Sequence, residues 1–207
     1  MLTIYGRDNS SNVRKVLWAC AEMDVSYNRL DYGRGFKPAD SPEHIVLNPN
    51  ATVPTIVEDD YILWESNAII RYLARQNSRD DLLPRDPKQC GIVEQWMDWQ
   101  IAALAPRIFP VFTFQVVGNQ KLGDPDLQAE SKKNVIHLMG ILNQQLSKTG
   151  AYVAGESFTA ADFPAGMFTH RYFSLDIERP DLADLQNYYE CLKERQAYKD
   201  VIVAGGP

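Results

Sequence analysis

The stretch GRDNSSNVRKVLW, Gly6 to Trp18, places Asn9, Ser10, Ser11 and Asn12 side by side, between an apolar run and an apolar helix pattern. Two hydroxyls and two side-chain amides in four positions can do one of two things. They can cap the helix, because such side chains satisfy the free N–H groups of its first turn. They can instead touch a reacting atom at the positive end of the helix dipole. Local sequence leaves both open.

Three further signals lie downstream. In Asn48–Thr55, NPNATVPT, Pro54 falls inside an apolar run that must pair with a strand. Proline cannot donate to a ladder, so it suits an edge or a turn. A cis bond there would leave the N–H and C=O of Val53 exposed, ready to pair with an extended peptide as in strand addition. An ordinary edge proline fits equally well.

In Trp64–Ile69, WESNAI, Ser66 opens an apolar-periodic helix whose N-terminus attracts a carboxylate, and Glu65 beside it suits an ammonium. Together they would suit the α-amino acid end of a ligand. The plain alternative is a cap next to an exposed acid. In Ser157–Phe163, SFTAADF, Thr159 and Asp162 read as a capping box with aspartate in place of glutamate, and Phe158 and Phe163 as its hydrophobic staple. That motif is structural. Losing Thr159 or Asp162 costs about 1 kcal/mol without removing chemistry, and Pro164 predicts a slight kink.

The elements that must carry these residues change character along the chain. Leu2–Tyr5 is a short β run closed by Gly6. Val13, Val16, Leu17, Cys20 and Met23 repeat at helical spacing. Val25 and Tyr27 mark a second strand, and residues 32–42 read as a loop. Val53–Val57 and Tyr61–Trp64 flank acidic Glu58-Asp59-Asp60 as a hairpin, followed by a helix from Ser66. The order βαβ then ββα predicts a small mixed α/β domain over residues 1–77. The charged, proline-containing stretch 78–87 reads as a linker, and 88–207 as all-helical, with Val93, Trp96 and Met97 starting one apolar stripe.

Of the 207 residues, 45% are hydrophobic and the net charge is −6, which argues for a globular protein and against a basic nucleic-acid face. No apolar run is long enough to span a membrane, and charge arrives at Arg7, too early for a signal peptide. Cys20, Cys90 and Cys191 are far apart, and His44, His137 and His170 stand singly. No disulfide framework or metal site is expected, and a reducing cytoplasm is the expected home.

In this order and spacing, the motifs resemble the cytosolic glutathione transferases over nearly the whole chain: the Val53-Pro54 turn, Glu65-Ser66, the Ser157–Asp162 box and Asp80-Leu82-Leu83-Pro84 in the linker. The first helix, Arg14-Lys-Val-Leu-Trp, is most similar to the serine-type bacterial and theta-like members. The resemblance implies a thioredoxin-like N-terminal domain, glutathione as co-substrate without a metal, and a homodimer. It implies that Val53, with Pro54 cis, holds the cysteinyl backbone, and that Glu65 and Ser66 hold the γ-glutamyl end. Counting four residues back from Arg14 puts the catalytic hydroxyl on Ser10. A related threonine and asparagine pair falls on Ser10 and Asn12, so Asn12 is the second candidate and Ser11 the third, with Ser11 the better helix cap.

Such a site needs a donor that stabilises the thiolate of glutathione for attack on a small apolar electrophile. Tyr5 is the rival thiol partner of tyrosine-type classes. No cysteine stands at positions 10–12, which disfavours mixed-disulfide chemistry on the protein, and Cys20 is expected in the core. A histidine or lysine that some classes carry before the Val-Pro pair is Ala51 or Thr52 here, so Lys37 is the candidate replacement. Ala103–Phe114, with Phe112 and Arg107, is expected to wall the electrophile pocket, Arg107 meeting an anionic group. Gln100 is expected to reach the neighbouring subunit's glutathione. Two other functions stay open: a glutathione-dependent disulfide or peroxide reductase, and a non-catalytic ligand-binding protein on the same fold.

Overall fold

A computed structural model describes Met1–Pro207 in full. Four strands form one sheet in the order β2-β1-β3-β4: β1 (Leu2–Tyr5), β2 (Tyr27–Leu30), β3 (Thr55–Glu58) and β4 (Tyr61–Trp64). β1 runs parallel to β2 through the crossover helix α1 (Ser11–Glu22), and antiparallel to β3, which pairs with β4 as a hairpin. Helix α3 (Ser66–Gln76) follows. This is the expected thioredoxin-like arrangement. One turn of helix, α2 (Pro42–Ile45), follows the stretch read as a loop; Ser41 and Pro42 start it.

Beyond residue 86 every element is helical: α4 (Pro87–Trp99), α5 (Ala105–Gln115), α6 (Pro125–Thr149), α7 (Asp162–Ser174), α8 (Ala183–Glu194) and the short α9 (Gln196–Tyr198). The connecting segment is anchored. Leu82 and Leu83 are buried, Arg75 donates to the Leu83 carbonyl at 2.7 Å, and the Leu82 carbonyl accepts from Ala160 N at 2.8 Å.

The core runs without a break from the sheet into the helices. Trp18 of α1, fully buried, packs edge-on against Phe163 at 4.9 Å and Tyr198 at 4.8 Å, which fixes α1 against α7 and the C-terminal segment. The linkage is tight enough that only a glycine fits at 166, where a Cβ would lie 2.7 Å from Leu192 Cδ1 and 3.1 Å from Trp18 Cη2.

The Thr159–Asp162 motif is larger than a cap. Asp162 Oδ2 accepts from Thr159 N at 2.7 Å and Thr159 Oγ1 at 3.2 Å, while Oδ1 accepts from Val153 N and Tyr188 OH, each at 3.0 Å. Phe158 and Phe163 form the staple, ring centroids 5.1 Å apart. Because α7 starts at Asp162, Pro164 sits in its first turn, where no intrahelical bond is lost, so the expected kink has no cause. Asp162→Ala leaves four buried donors unpaired, each worth about 1–3 kcal/mol. The expected outcome is a loss of several kcal/mol in urea unfolding, well above the single-cap figure; a loss under about 1 kcal/mol would contradict this account.

Candidate active site

A cleft of about 450 Å³ separates the loop after β1 from the inner faces of α5 and α7. Asn9, Ser10, Ser11 and Asn12 line one side, and Ile108, Phe109, Phe112, Val116 and Phe168 line the apolar side. Ser10 takes the N-cap position of α1 with extended backbone (φ −96°, ψ 123°), and its hydroxyl makes no capping bond. Ser11, expected to be the cap, is the first helical residue and is buried. Both serines line the cleft at the positive end of α1, and the Ser10 hydroxyl does so without capping the helix. Tyr5 does not line the cleft; its ring packs against Tyr32 at 5.3 Å and His44 at 6.0 Å.

The Val53–Pro54 peptide bond is cis. Neither the N–H nor the C=O of Val53 is engaged in a backbone hydrogen bond, because β3 and its ladder begin at Thr55. The turn that presents them is held from behind. Asn48, fully buried, donates to the Thr52 carbonyl at 3.0 Å and Thr55 Oγ1 at 3.1 Å, while its oxygen accepts from Asn50 N at 3.0 Å. A free donor and acceptor on one residue can pair with a peptide-like ligand.

Glu65 has φ 71° and ψ 112°, outside the regions that side-chain-bearing residues favour. Such strain, of order 1–3 kcal/mol, concentrates at functional sites. It lets β4 turn at once into α3, with Glu65 exposed and Ser66, only 2% exposed, in the first turn.

Beneath this corner lies a group that sequence reading did not single out. Lys15 of α1 is fully buried and donates to Asn67 Oδ1 at 3.0 Å and Gln100 Oε1 at 3.1 Å; Asn67 in turn donates to the Met97 carbonyl at 2.7 Å. Gln100 opens a π-helical turn, Gln100–Leu104, that joins α4 to α5. Burial pushes the Lys15 amine down to about 7; the Glu65 charge opposes the shift and Arg171 adds to it. No feature of RKVLW marks Lys15 as buried, since its place depends on three elements distant in sequence.

Three expected site residues lie elsewhere. Gln100 is fully buried on Lys15, so it cannot reach a second subunit. Lys37 is exposed and paired with Glu43 at 2.6 Å, over the Tyr32 ring. Arg107 turns away from the cleft: Pro106 has no N–H for the Ala102 carbonyl, and Arg107 Nη1 donates to it at 3.2 Å. Phe112 is in the wall as expected. The cation on that wall is Arg171 of α7, with Arg7 and Arg34 across the mouth. All three cysteines are free and none lines the cleft; burial pushes the Cys20 thiol up to about 12.

Comparison with known proteins places this geometry. Residues 1–75 match the family model for the glutathione S-transferase N-terminal domain. Over 98% of both chains, the sequence is 32% identical to glutathione S-transferase GstB of Escherichia coli K12. The chain belongs to the glutathione S-transferase family. This transferase is also 28% identical to glutathione S-transferase F10 of Arabidopsis thaliana, over 97% of this chain and 96% of that one. Its fold matches the crystal structure of a theta-class glutathione S-transferase from Xanthomonas axonopodis pv. citri with glutathione bound, at a TM-score of 0.91 and 36% identity, covering 97% and 96% of the two chains.

The Lys15 amine supplies a pH test of the junction in this transferase. Its ordinary value is 10.5 and its folded value about 7. Between the two, the unfolded chain holds a proton that the folded chain has released, so stability rises with pH, by up to about 1.4 kcal/mol per unit. Urea midpoints from pH 7 to 9 should show a Lys15-dependent rise that Lys15→Met removes. An identical pH slope in the variant would contradict a deprotonated buried amine.

Proposed function

We propose that this enzyme binds glutathione along Val53, Glu65 and Ser66, activates its thiol through Ser10, and transfers it to a small electrophile resting on the α5 and α7 wall. What supports the reading is a set of unused polar groups: the free Val53 N–H and C=O, the first-turn N–H groups of α3 beside Glu65, and the Ser10 hydroxyl, which makes no capping bond. Together they match a γ-glutamyl peptide. The ammonium goes to Glu65, its α-carboxylate to Ser66 and the α3 N-terminus, and the cysteinyl amide to Val53.

A thiol near its ordinary pKa of about 8.5 is mostly protonated at neutral pH. A hydroxyl donating to sulfur, at the positive end of α1, favours the thiolate. Each unit of depression corresponds to about 1.4 kcal/mol, within the range of one charge-assisted hydrogen bond. The thiolate then attacks an electrophilic carbon held on Phe112 and Ile108, and the leaving group departs with its electron pair. No protein cysteine takes part, so the reductase alternative would need a second glutathione.

A homodimer belongs to the same reading. Its support is β4, an edge strand whose Tyr61, Ile62 and Trp64 are exposed.

Ser10→Ala should bind glutathione with little loss, yet form the bound thiolate at a pH about one to two units higher, read by thiolate ultraviolet absorbance. Asn12→Ala should titrate like wild type. If Asn12→Ala shifts and Ser10→Ala does not, the donor is Asn12; if wild type does not bind millimolar glutathione, the reading fails. The same wild-type preparation should sediment as a dimer.

A further inference from the structure

The cleft is lined by Arg7, Arg34 and Arg171, and by no aspartate or glutamate. In a chain with net charge −6 this is not the default. Elsewhere Arg29, Arg71, Arg75, Arg79, Arg85 and Arg195 each lie within ion-pair distance of a carboxylate, while Arg14, Arg107 and Arg179 donate to backbone carbonyls. The three cleft arginines have no such partner.

They differ in how committed they are. Arg7 gives Nη1 to Asn9 Oδ1 at 2.7 Å and keeps a buried, unpartnered Nε. Arg171 donates no hydrogen bond to the chain, and its Nε is likewise buried and unpartnered. Its guanidinium carbon lies 3.9 Å from the Phe112 ring centroid and 5.7 Å from that of Phe168, cation–π contacts that leave its N–H donors uncommitted. Arg14, just behind, is spent on the carbonyls of Asp8, Gly205 and Gly206. Burial works against the Arg171 charge, and repulsion from Arg14 and Arg7 adds to it. A desolvated cation without a partner is costly. A ligand carboxylate would relieve that cost and match the planar fork in bidentate fashion.

We infer that the electrophile is an anion: a small aromatic or unsaturated carboxylate whose acid group docks on Arg171 and whose ring lies on the apolar wall. The inference rests on the transferase reading above. With an aryl chloride acid, the thiolate sulfur supplies the pair for the new C–S bond, the C–Cl bond breaks, and chloride leaves with its pair. The thiol proton has already gone to solvent, and no oxidant or reductant enters. The positive cleft offsets repulsion between two anions that must meet, the thiolate and the carboxylate.

The test compares chlorodinitrobenzoate with its neutral methyl ester, in wild type and in Arg171→Leu and Arg34→Leu. Wild type should show a higher kcat/KM for the acid, although the ester is the more activated ring. Arg171→Leu should lower the acid-to-ester ratio by about tenfold, equivalent to about 1.4 kcal/mol, with the KM for glutathione unchanged. Arg171→Lys should restore part of that ratio, since it keeps charge and loses the fork. Arg34→Leu, at an exposed position, should lower the ratio by a smaller factor and serves if the Arg171 variants do not fold. An unchanged ratio in folded Arg171→Leu, or in Arg34→Leu where the Arg171 variants do not fold, overturns the inference. So does a rise in glutathione KM with the ratio unchanged, which would assign the cluster to a glutathione carboxylate. Turnover of neither compound by wild type would strike at the transferase reading instead.

Discussion

The junction around the site depends on one buried amine. Lys15 joins α1, α3 and the π-helical turn between α4 and α5, and each leads to residues of the proposed site. α1 carries Ser10 at its start, α3 carries Ser66 in its first turn with Glu65 just before it, and α5 carries Phe112 on the wall. A hydrophobic residue at position 15 could fill the space but could not hold two side-chain oxygens at fixed places. The amine is unsatisfied without Asn67 and Gln100, and they lose a donor without it. Buried polar groups of this kind are specific because their errors are costly. The strained Glu65 stands just before α3, two residues from Asn67 of this junction.

Around this junction, several polar groups are left uncommitted. Backbone polar groups are normally paired, and buried ones nearly always. Val53 keeps both of its own free because Asn48 satisfies the turn around it. Ser10 keeps its hydroxyl free, although it stands where a cap would normally bind the helix. Arg171 keeps its fork free by stacking on Phe112 rather than pairing with an acid. Helix α5 and its neighbours do the opposite. Arg107 Nη1 meets the Ala102 carbonyl that Pro106 cannot serve, Ser131 Oγ donates to the Arg107 carbonyl, and Gln128 Nε2 donates to the Pro110 carbonyl.

What was legible in the sequence was local. Turn chemistry around Val53-Pro54, the helix start at Ser66 and the hydroxyl-rich loop before Arg14 each lie within a few residues, so residue type and spacing sufficed. The α/β-then-helical order followed from periodicity for the same reason. Lys15 and Arg171 were not legible. One is buried and the other faces a cleft only because helices distant in sequence pack around them, and KVLW or HRYF look like any amphipathic helix. Arg107, Gln100 and Lys37 failed in the converse way. Each stands near the site in sequence, but a nearer partner takes its polar group: the Ala102 carbonyl, Lys15 and Glu43. Asp162 fell between the two. Its cap was readable, while Tyr188 and Val153, which complete it, were not.

The account rests on the free backbone of Val53 being the place where glutathione docks. Amide hydrogen exchange of Val53, followed by NMR with and without saturating glutathione, measures that directly. Exchange at Val53 is predicted to slow markedly on binding, with Ser66 and Asn67 slowing alongside it as the α3 N-terminus is occupied. Binding of glutathione that leaves Val53 exchange unchanged would contradict the account.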